Sequence, residues 1–238
     1  MNLLRTLLYT VCIVSTCAVA CKLPDIDRAE QDEMDPSEDS PNFAFEEENY
    51  PTDALREHMI GHVHHVVDGD TLDLEVRGKR FKIRFKGSSA PECHKDTTIV
   101  DNVPRYRCVE DDEYYGLASY EELLDIIGDS RLRVECESVG PGERCEQDHY
   151  DRWLANLVRE DGVDIGEELL RRGAGFTSTS FPSQTRKAYC LAEYEAREKQ
   201  RGMWKGQTVD ETIQRMNGST QHWYRDHDRR CDEAIGAL

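Results

Sequence analysis

Four short stretches of the sequence carry side chains that could act together on a phosphodiester. They are Asp68-Gly69-Asp70-Thr71, Arg84, Ala90-Pro91-Glu92 and Tyr150-Asp151-Arg152. Carboxylates are preferred ligands of hard divalent cations, and arginine offers planar, paired donors that match phosphate oxygens. The combination predicts a site that holds a metal ion against a phosphate group.

Each stretch alone is weak evidence for such a site. An Asp-Gly-Asp sequence is most often a turn, and an arginine that alternates with apolar residues in a strand usually faces solvent. The set is more specific because of its order and because Gly202-Met203-Trp204 follows about fifty residues after Arg152.

In this order the stretches resemble the staphylococcal nuclease, or thermonuclease, family from about Gly61 to Trp204. The matching stretches are Val66–Thr71, Arg84 to Glu92, Tyr114–Gly116, Asp148–Arg152, Gly166–Gly173 and Glu195–Trp204. The resemblance implies an α+β fold, an OB-fold five-stranded β-barrel with about three packed α-helices. It also implies a nuclease, a hydrolase that cleaves DNA or RNA phosphodiesters as an endonuclease and typically uses Ca²⁺.

The resemblance assigns roles to individual residues. Asp70 matches the family's metal-binding aspartate, and Arg84 and Arg152 match its two phosphate-clamping arginines. Glu92 matches the carboxylate next to the attacking water, which it would orient or deprotonate as a general base. Tyr150 falls where a tyrosine of the family contacts a phosphate.

One position departs from the family pattern and affects the metal. Ser89 stands where the family usually has an aspartate that ligates the ion directly. A neutral hydroxyl is a poorer Ca²⁺ ligand than a carboxylate, so the metal should bind more weakly through Asp70, with Ser89 and the backbone carbonyl of Ala90 as further ligands. Asp68 and Glu113 are candidates to replace the missing carboxylate. Two alternatives stay open: a nucleic-acid-binding domain with impaired or lost catalysis, and a structural module of the cell envelope.

The elements that must position these residues follow from the hydrophobic periodicity. Alternating apolar and polar residues predict a β-meander followed by two more strands, at 61–67, 71–76, 81–85, 132–134 and 153–158. Helical spacing and glycine stops predict helices at 117–127, 165–172 and 183–201. A cysteine-bounded loop is expected from Cys93 to Cys108. This order indicates a small barrel with helices packed on it.

The cysteines favour an exported, disulfide-bonded chain. Loss of a leader removes Cys12 and Cys17, and with Cys21 set aside an even number remains. An even number in an exported chain suggests disulfides. The expected pairs are Cys93–Cys108, Cys136–Cys145 and Cys190–Cys231, of which the first two close short loops.

The first twenty residues are typical of a secretory signal peptide. Arg5 is the only charged residue, and the apolar run that follows ends in Ala18-Val19-Ala20 before Cys21. Ala-Val-Ala-Cys resembles the bacterial lipobox, in which the cysteine becomes acylated. We therefore expect an exported protein, either a lipoprotein anchored to the membrane of the cell envelope through Cys21 or a freely secreted one.

The charge is distributed unevenly along the chain. The net charge of −18 argues against a protein that binds nucleic acid through its whole surface. Twelve acidic and three basic residues lie between Lys22 and Arg56, which accounts for half of the excess. The predicted organisation is a signal peptide (1–20), an acidic disordered tether (21–56), a thermonuclease-like domain (57–206) and a C-terminal extension stapled to the domain (207–238). We expect a monomer whose extension carries no site of its own.

Overall fold

The computed structural model describes residues 49–137 and 139–236. The predicted signal peptide, Cys21 and most of the predicted acidic tether lie outside these residues. Within the part of the chain that is described, no helix combines the length and the apolar character needed to cross a membrane.

The strands follow one another in two groups, separated by the first helix. The strands are β1 (Ile60–Asp68), β2 (Thr71–Val76), β3 (Lys79–Phe85), β4 (Ser88–Ser89), β5 (Cys93–Val100), β6 (Val103–Asp111), β7 (Arg131–Glu135), β8 (Glu146–Gln147), β9 (Trp153–Arg159) and β10 (Phe176–Thr177). The helices are α1 (Gly116–Ile127), α2 (Ile165–Arg171), α3 (Arg186–Glu198), α4 (Val209–Gln214), α5 (Gly218–Tyr224) and α6 (His227–Ile235), with a 3₁₀ turn at Gly202–Trp204.

The central sheet is a closed five-stranded barrel. Its strands are hydrogen-bonded in the order β3-β2-β1-β7-β9, and a parallel pairing of β3 with β9 closes the ring. Closure leaves no unpaired edge and encloses a core to which α1 and α2 also contribute, with Leu72, Ile83, Leu132 and Leu157 fully buried. The predicted OB-fold α+β architecture and the β-meander are confirmed.

The segment between Cys93 and Cys108 is a β-hairpin, so the prediction of a loop is wrong. β5 and β6 pair along their whole length, and the chain reverses at Asp101 and Asn102, which both have positive φ angles of 49° and 62°. The polar residues of both strands hid the alternation that predicts a strand. The Cys93–Cys108 disulfide joins the two strands near their base.

The third helix is shorter than the predicted 183–201. Before it begins, the backbone N–H groups of Gln184 and Thr185 donate to Glu137 Oε1, at 2.9 and 3.4 Å. These donors are thereby satisfied outside the helix, which starts at Arg186. At the other end Gln200 has a positive φ of 51°, which stops the helix before Gly202.

The C-terminal extension folds into α4, α5 and α6 and packs on α3. Cys190 of α3 is bonded to Cys231 of α6, and the other two expected disulfides, Cys93–Cys108 and Cys136–Cys145, are also present. The folded part begins earlier than the predicted boundary at residue 57, because Ala54 and Leu55 are buried in the barrel core.

Candidate active site

The strand register brings the predicted site residues to one end of the barrel. Thr71 of β2 pairs with Arg84 of β3, and Leu154 of β9 pairs with Arg84 on the other side. The turn that carries Asp70 and the turn that carries Arg152 therefore both lie beside Arg84. The barrel itself thus sets the relative positions of these three side chains.

The guanidinium of Arg84 contacts both predicted side-chain metal ligands. Its Nη1 lies 2.8 Å from Asp70 Oδ2 and donates to the Ser88 carbonyl at 3.0 Å. Its Nη2 donates to the hydroxyl oxygen of Ser89 at 3.0 Å. A cation that binds Asp70 therefore has to share this carboxylate with Arg84.

Asp70 is a buried carboxylate, and only 6% of the residue is exposed. Its Oδ2 accepts a hydrogen bond from the Ala90 N–H at 2.8 Å, and its Oδ1 accepts one from the Thr71 hydroxyl at 3.0 Å. Burial raises the pKa of Asp70 to about 7, although Arg84 acts in the opposite direction. Gly69 permits this close packing, since a Cβ at that position would lie 2.5 Å from the Cβ of Ala90.

The two carboxylates that could replace the missing aspartate are engaged elsewhere. Asp68 Oδ2 lies 2.9 Å from Lys95 Nζ, and the same ammonium lies 3.2 Å from Glu92 Oε2. Glu113 is buried, and its two carboxylate oxygens accept from the backbone N–H groups of Glu92 at 2.7 Å and Asn217 at 2.6 Å. Asp68 and Glu113 therefore fix the positions of Lys95, Glu92 and Asn217 in this structure.

Arg152 is oriented by an aspartate that we did not predict as a site residue. Asp148 Oδ2 accepts from Arg152 Nε at 2.8 Å and lies 2.7 Å from Nη2, and Asp148 Oδ1 accepts from the backbone N–H groups of Tyr150 and Arg152. Asp151, between them, has a positive φ of 61°. The guanidinium carbon of Arg152 lies 5.3 Å from the centre of the Tyr150 ring, which is 68% exposed.

These residues line a cleft of about 460 Å³. One group of lining residues, the barrel wall, consists of Arg84, Ser89, Ala90, Glu92, His149, Tyr150 and Arg152. A second group, the tail wall, comes from the C-terminal extension and consists of Asn217, Ser219, Thr220, Trp223, Tyr224 and His227. Residues 176–181 also line the cleft. All the predicted catalytic and phosphate-binding residues thus face one space.

The contribution of the extension to this cleft was not predicted from the sequence. We expected the extension to strap the long helix and to carry no second site, and the strap itself lines the first one. The only sequence signal was the adjacent pair Trp223 and Tyr224 in an otherwise polar segment. Polar residues at the start of a short helix gave no indication of what they would face.

The donor set at Asp70 fits one kind of metal ion better than another. In the described residues, three grouped carboxylate or histidine ligands occur at Glu57, His58 and Glu135, none of which lines the cleft. Asp70 is the predicted carboxylate ligand in this part of the site, and it lies beside Ser89 and Ala90, because Arg84 contacts both Asp70 and Ser89 and the Ala90 N–H donates to Asp70. Ca²⁺ takes about 6–8 oxygen ligands, whereas a smaller hard cation such as Mg²⁺ keeps waters and binds through one or two carboxylates together with substrate phosphate. The residues fit a largely hydrated divalent cation that binds together with substrate.

A closed barrel that carries arginines and carboxylates at one end defines an OB-type domain with a charged cleft. The family model described as staphylococcal nuclease homologue matches residues 82–206, which is more than half of the chain. The chain belongs to the staphylococcal nuclease family, and the resemblance inferred from the motifs is confirmed.

Several relatives are named as endonucleases. An uncharacterized endonuclease of Escherichia coli O157:H7 is 24% identical over 144 residues, which cover 60% of this chain and 76% of the relative. Endonuclease YhcR of Bacillus subtilis is 29% identical over 167 residues, which cover 67% of this chain but 12% of that much longer protein. The uncharacterized protein MJ1439 of Methanocaldococcus jannaschii is 29% identical over 160 residues, which cover 62% of this chain and 72% of the relative.

Proposed function

We propose that this protein is an exported, metal-dependent endonuclease that hydrolyses phosphodiester bonds of DNA or RNA. The observation that carries the proposal is that Arg84, Glu92 and Arg152 line one cleft at the end of the barrel. The family to which the chain belongs and the endonuclease names of its relatives support the same reaction class.

The two arginines bind the phosphate and stabilise the charge that develops on it. Arg84 is held by Asp70 and the Ser88 carbonyl, and Arg152 is held by Asp148. Both guanidinium groups are therefore fixed before substrate arrives, so little reorganisation is needed in the transition state. Arginine stays charged at any working pH, which suits a dianionic, five-coordinate phosphorus centre.

Glu92 is the group that orients the attacking water and accepts its proton. Its backbone is fixed by the hydrogen bond from its N–H to Glu113, while half of its side chain remains exposed in the cleft. Lys95 Nζ lies 3.2 Å from Glu92 Oε2 and helps to orient the carboxylate. Tyr150 extends from the turn beside Arg152, where its hydroxyl can contact a phosphate.

A divalent cation would be held by Asp70, with the Ser89 hydroxyl and the Ala90 carbonyl as neutral ligands. When bound, it neutralises phosphate charge and acts as a Lewis acid toward the phosphate. Ca²⁺, the ion expected from the family, requires more oxygen ligands than this set supplies, so we propose weak binding that depends on substrate phosphate.

Export is the second part of the proposal. Three disulfides among the described residues are typical of chains that fold under oxidising conditions. They support the predicted signal peptide and the proposed location in the cell envelope, anchored through Cys21, or outside the cell. We propose that the protein acts there as a monomer.

A second candidate function is nucleic-acid binding with impaired catalysis. Ser89 and the contact of Arg84 with Asp70 favour it, because both reduce the negative charge available to a catalytic cation. This candidate predicts affinity for nucleic acid that falls with salt, without product at any metal concentration.

The experiment that separates the two candidates compares the native protein with Ser89→Asp. Single-stranded DNA and RNA are incubated with each protein in Ca²⁺, Mg²⁺, Mn²⁺ or EDTA, and cleavage and metal affinity are measured. A second carboxylate at this position should tighten metal binding by on the order of tenfold, since ligand charge tunes affinity in such sites. Asparagine has nearly the same shape as aspartate but no charge, so Ser89→Asn serves as the matched control.

Cleavage by the native protein that EDTA abolishes supports the proposed nuclease. Binding without cleavage by the native protein, with cleavage restored in Ser89→Asp, supports the second candidate. A protein that neither binds nor cleaves, in either form, contradicts both.

A further inference from the structure

Two exposed aromatic side chains stand beside the phosphate-binding arginines. Trp223 of the tail wall is 52% exposed, and Phe181 is 66% exposed. Their ring centres lie 6.2 Å apart, with 36° between the ring planes. Both residues line the same cleft as Arg84 and Arg152.

The backbone that carries Trp223 is firmly held, although the indole ring itself is exposed. At the start of α5 the Asn217 N–H donates to Glu113 at 2.6 Å, and Asn217 Oδ1 accepts from the Thr220 N–H at 2.9 Å. At its end the Tyr224 hydroxyl donates to Glu193 at 2.7 Å, in the interior. Because its neighbours are anchored in this way, the backbone of Trp223 is held in place, while its indole ring lies outside the hydrophobic core.

The loop that carries Phe181 is held from α3 and from α6. Arg186 donates to the carbonyls of Phe181 and Thr179, and Arg230 donates to the Thr179 carbonyl at 2.9 Å. Exposed aromatic rings on fixed backbones offer flat contact area with little conformational entropy to lose on binding.

The chemistry of the cleft suggests what these rings contact. The arginines attract a phosphate, and every nucleotide also carries a base with a flat π-face that stacks on aromatic side chains whatever its sequence. A cleft of about 460 Å³ is within the usual size range of sites for ligands as large as one nucleotide. With a net charge of −18 the remaining surface repels a polyanion, so affinity has to come from such local contacts.

We infer that Trp223 and Phe181 form a stacking site for an unpaired nucleobase of the strand whose phosphate lies at Arg84 and Arg152. This inference rests on the proposed function. A base inside a duplex has both faces covered by its neighbours, so the stacking site selects single strands or unwound ends. Trp223 lies beyond the matched range 82–206, so this part of the site belongs to the extension of this chain.

The test measures binding in EDTA, where a cation-dependent reaction cannot consume the probe. The full chain is titrated into a labelled single-stranded oligonucleotide and into an abasic strand of equal length, which has the same phosphates without bases. Stacking is worth about 5- to 100-fold in affinity per base. We expect the native protein to prefer the base-bearing strand by that factor, and Trp223→Ala and Phe181→Ala each to lose most of the preference while abasic binding is unchanged.

Control variants distinguish a loss of base stacking from a loss of the folded structure. Tyr106→Ala removes an aromatic residue that is 62% exposed on β6 and does not line the cleft, so it should change neither affinity. Trp223→Phe keeps a stacking ring and should keep most of the preference. Circular dichroism of each variant shows that the fold is retained, and Phe181→Ala provides a second test if Trp223→Ala unfolds.

The tryptophans provide an independent readout. Trp153 and Trp204 are only 8% and 1% exposed, so quenching of tryptophan fluorescence by the base-bearing strand should come from Trp223 and disappear in Trp223→Phe. Equal binding of both strands by the native protein overturns the inference and leaves the proposed nuclease intact. No binding of either strand would also overturn the inference, whereas the proposed function fails only if the protein does not cleave in the presence of a divalent cation.

Discussion

The two walls of the cleft are built by different means. The barrel wall carries its charged groups on strands and turns whose positions are fixed by backbone pairing, and its arginines are held by Asp70 and Asp148. The tail wall presents amide, hydroxyl and aromatic groups on short helices, which are held to α3 by buried side chains and one disulfide. Under the proposed function, the barrel wall carries the groups for the reaction, and the tail wall adds contacts to the substrate.

One buried carboxylate of α3 contributes to the attachment of the tail wall. Glu193 of α3 is fully buried and accepts hydrogen bonds from Arg197, the Tyr224 hydroxyl and the Thr177 N–H, the last two at 2.7 Å. His227 Nε2 lies 2.9 Å from its Oε2.

The largest effect is expected from breaking this attachment. Glu193→Gln leaves Arg197 and His227 without their buried counter-charge, and we expect the free energy of unfolding to fall by about 3 kcal/mol, as in other broken buried ion pairs. Denaturant unfolding measures the loss. Affinity for a single-stranded oligonucleotide should fall as well, because the tail wall is released.

Glu195→Gln is the matched control on the same helix. Glu195 is partly exposed and pairs with Lys199 and Arg201, so its loss should cost at most about 1 kcal/mol. Equal destabilisation by the two variants would show that the buried contacts of Glu193 contribute no more to stability than the exposed pairs of Glu195.

The next effect is on catalysis and concerns the barrel wall alone. Arg84→Ala and Arg152→Ala each remove a donor to the transition state, and we expect turnover to fall about 100-fold or more while the affinity for single strands changes far less. Single-turnover kinetics and equilibrium binding separate the two quantities. Arg107→Ala, an exposed arginine of β6 outside the cleft, is the control. Equal losses of turnover and affinity would argue against the division of tasks between the walls.

The smallest effect is a pH dependence of the contacts that attach the tail wall to α3. Burial lowers the pKa of His227, but Glu193 and Asp228 outweigh it and raise this pKa above 6.5. Burial raises the pKa of Glu193, but Arg197 and His227 outweigh it and lower this pKa from 4.5 to about 2. The stabilisation by His227 is thus complete below pH 6.5 and is lost as pH rises through its folded-state pKa. The stabilisation by Glu193 is complete above pH 4.5 and is lost as pH falls toward 2.

Both contributions are therefore complete between pH 4.5 and 6.5. Outside this window the free energy of unfolding should fall by at most about 1.4 kcal/mol per pH unit for each group. Denaturation curves at a series of pH values measure it, and His227→Gln should make the decline above pH 6.5 smaller. A decline of the same size in this variant would mean that His227 does not contribute to it.

The sequence was informative where local pattern decides structure. Alternation and turn residues predicted the strands that place Asp70 and Arg84, and the motifs led to Glu92 and Arg152, which the structure places in the same cleft. The hairpin between Cys93 and Cys108 was missed because its strands are polar on both faces. The bond from Asp148 to Arg152, the ion pair of Lys95 with Asp68 and the position of the extension depend on tertiary contacts between residues that have no periodic signature.

The bond between Cys190 and Cys231 gives the assembly of the cleft an order in time. β9, the last strand of the barrel, ends at Arg159, so a ribosome completes the barrel well before it reaches Cys231. The covalent bond between the extension and α3 then forms only where thiols are oxidised. In a reducing compartment the extension would therefore be held to α3 by non-covalent contacts alone, such as the buried pair of Glu193 with His227.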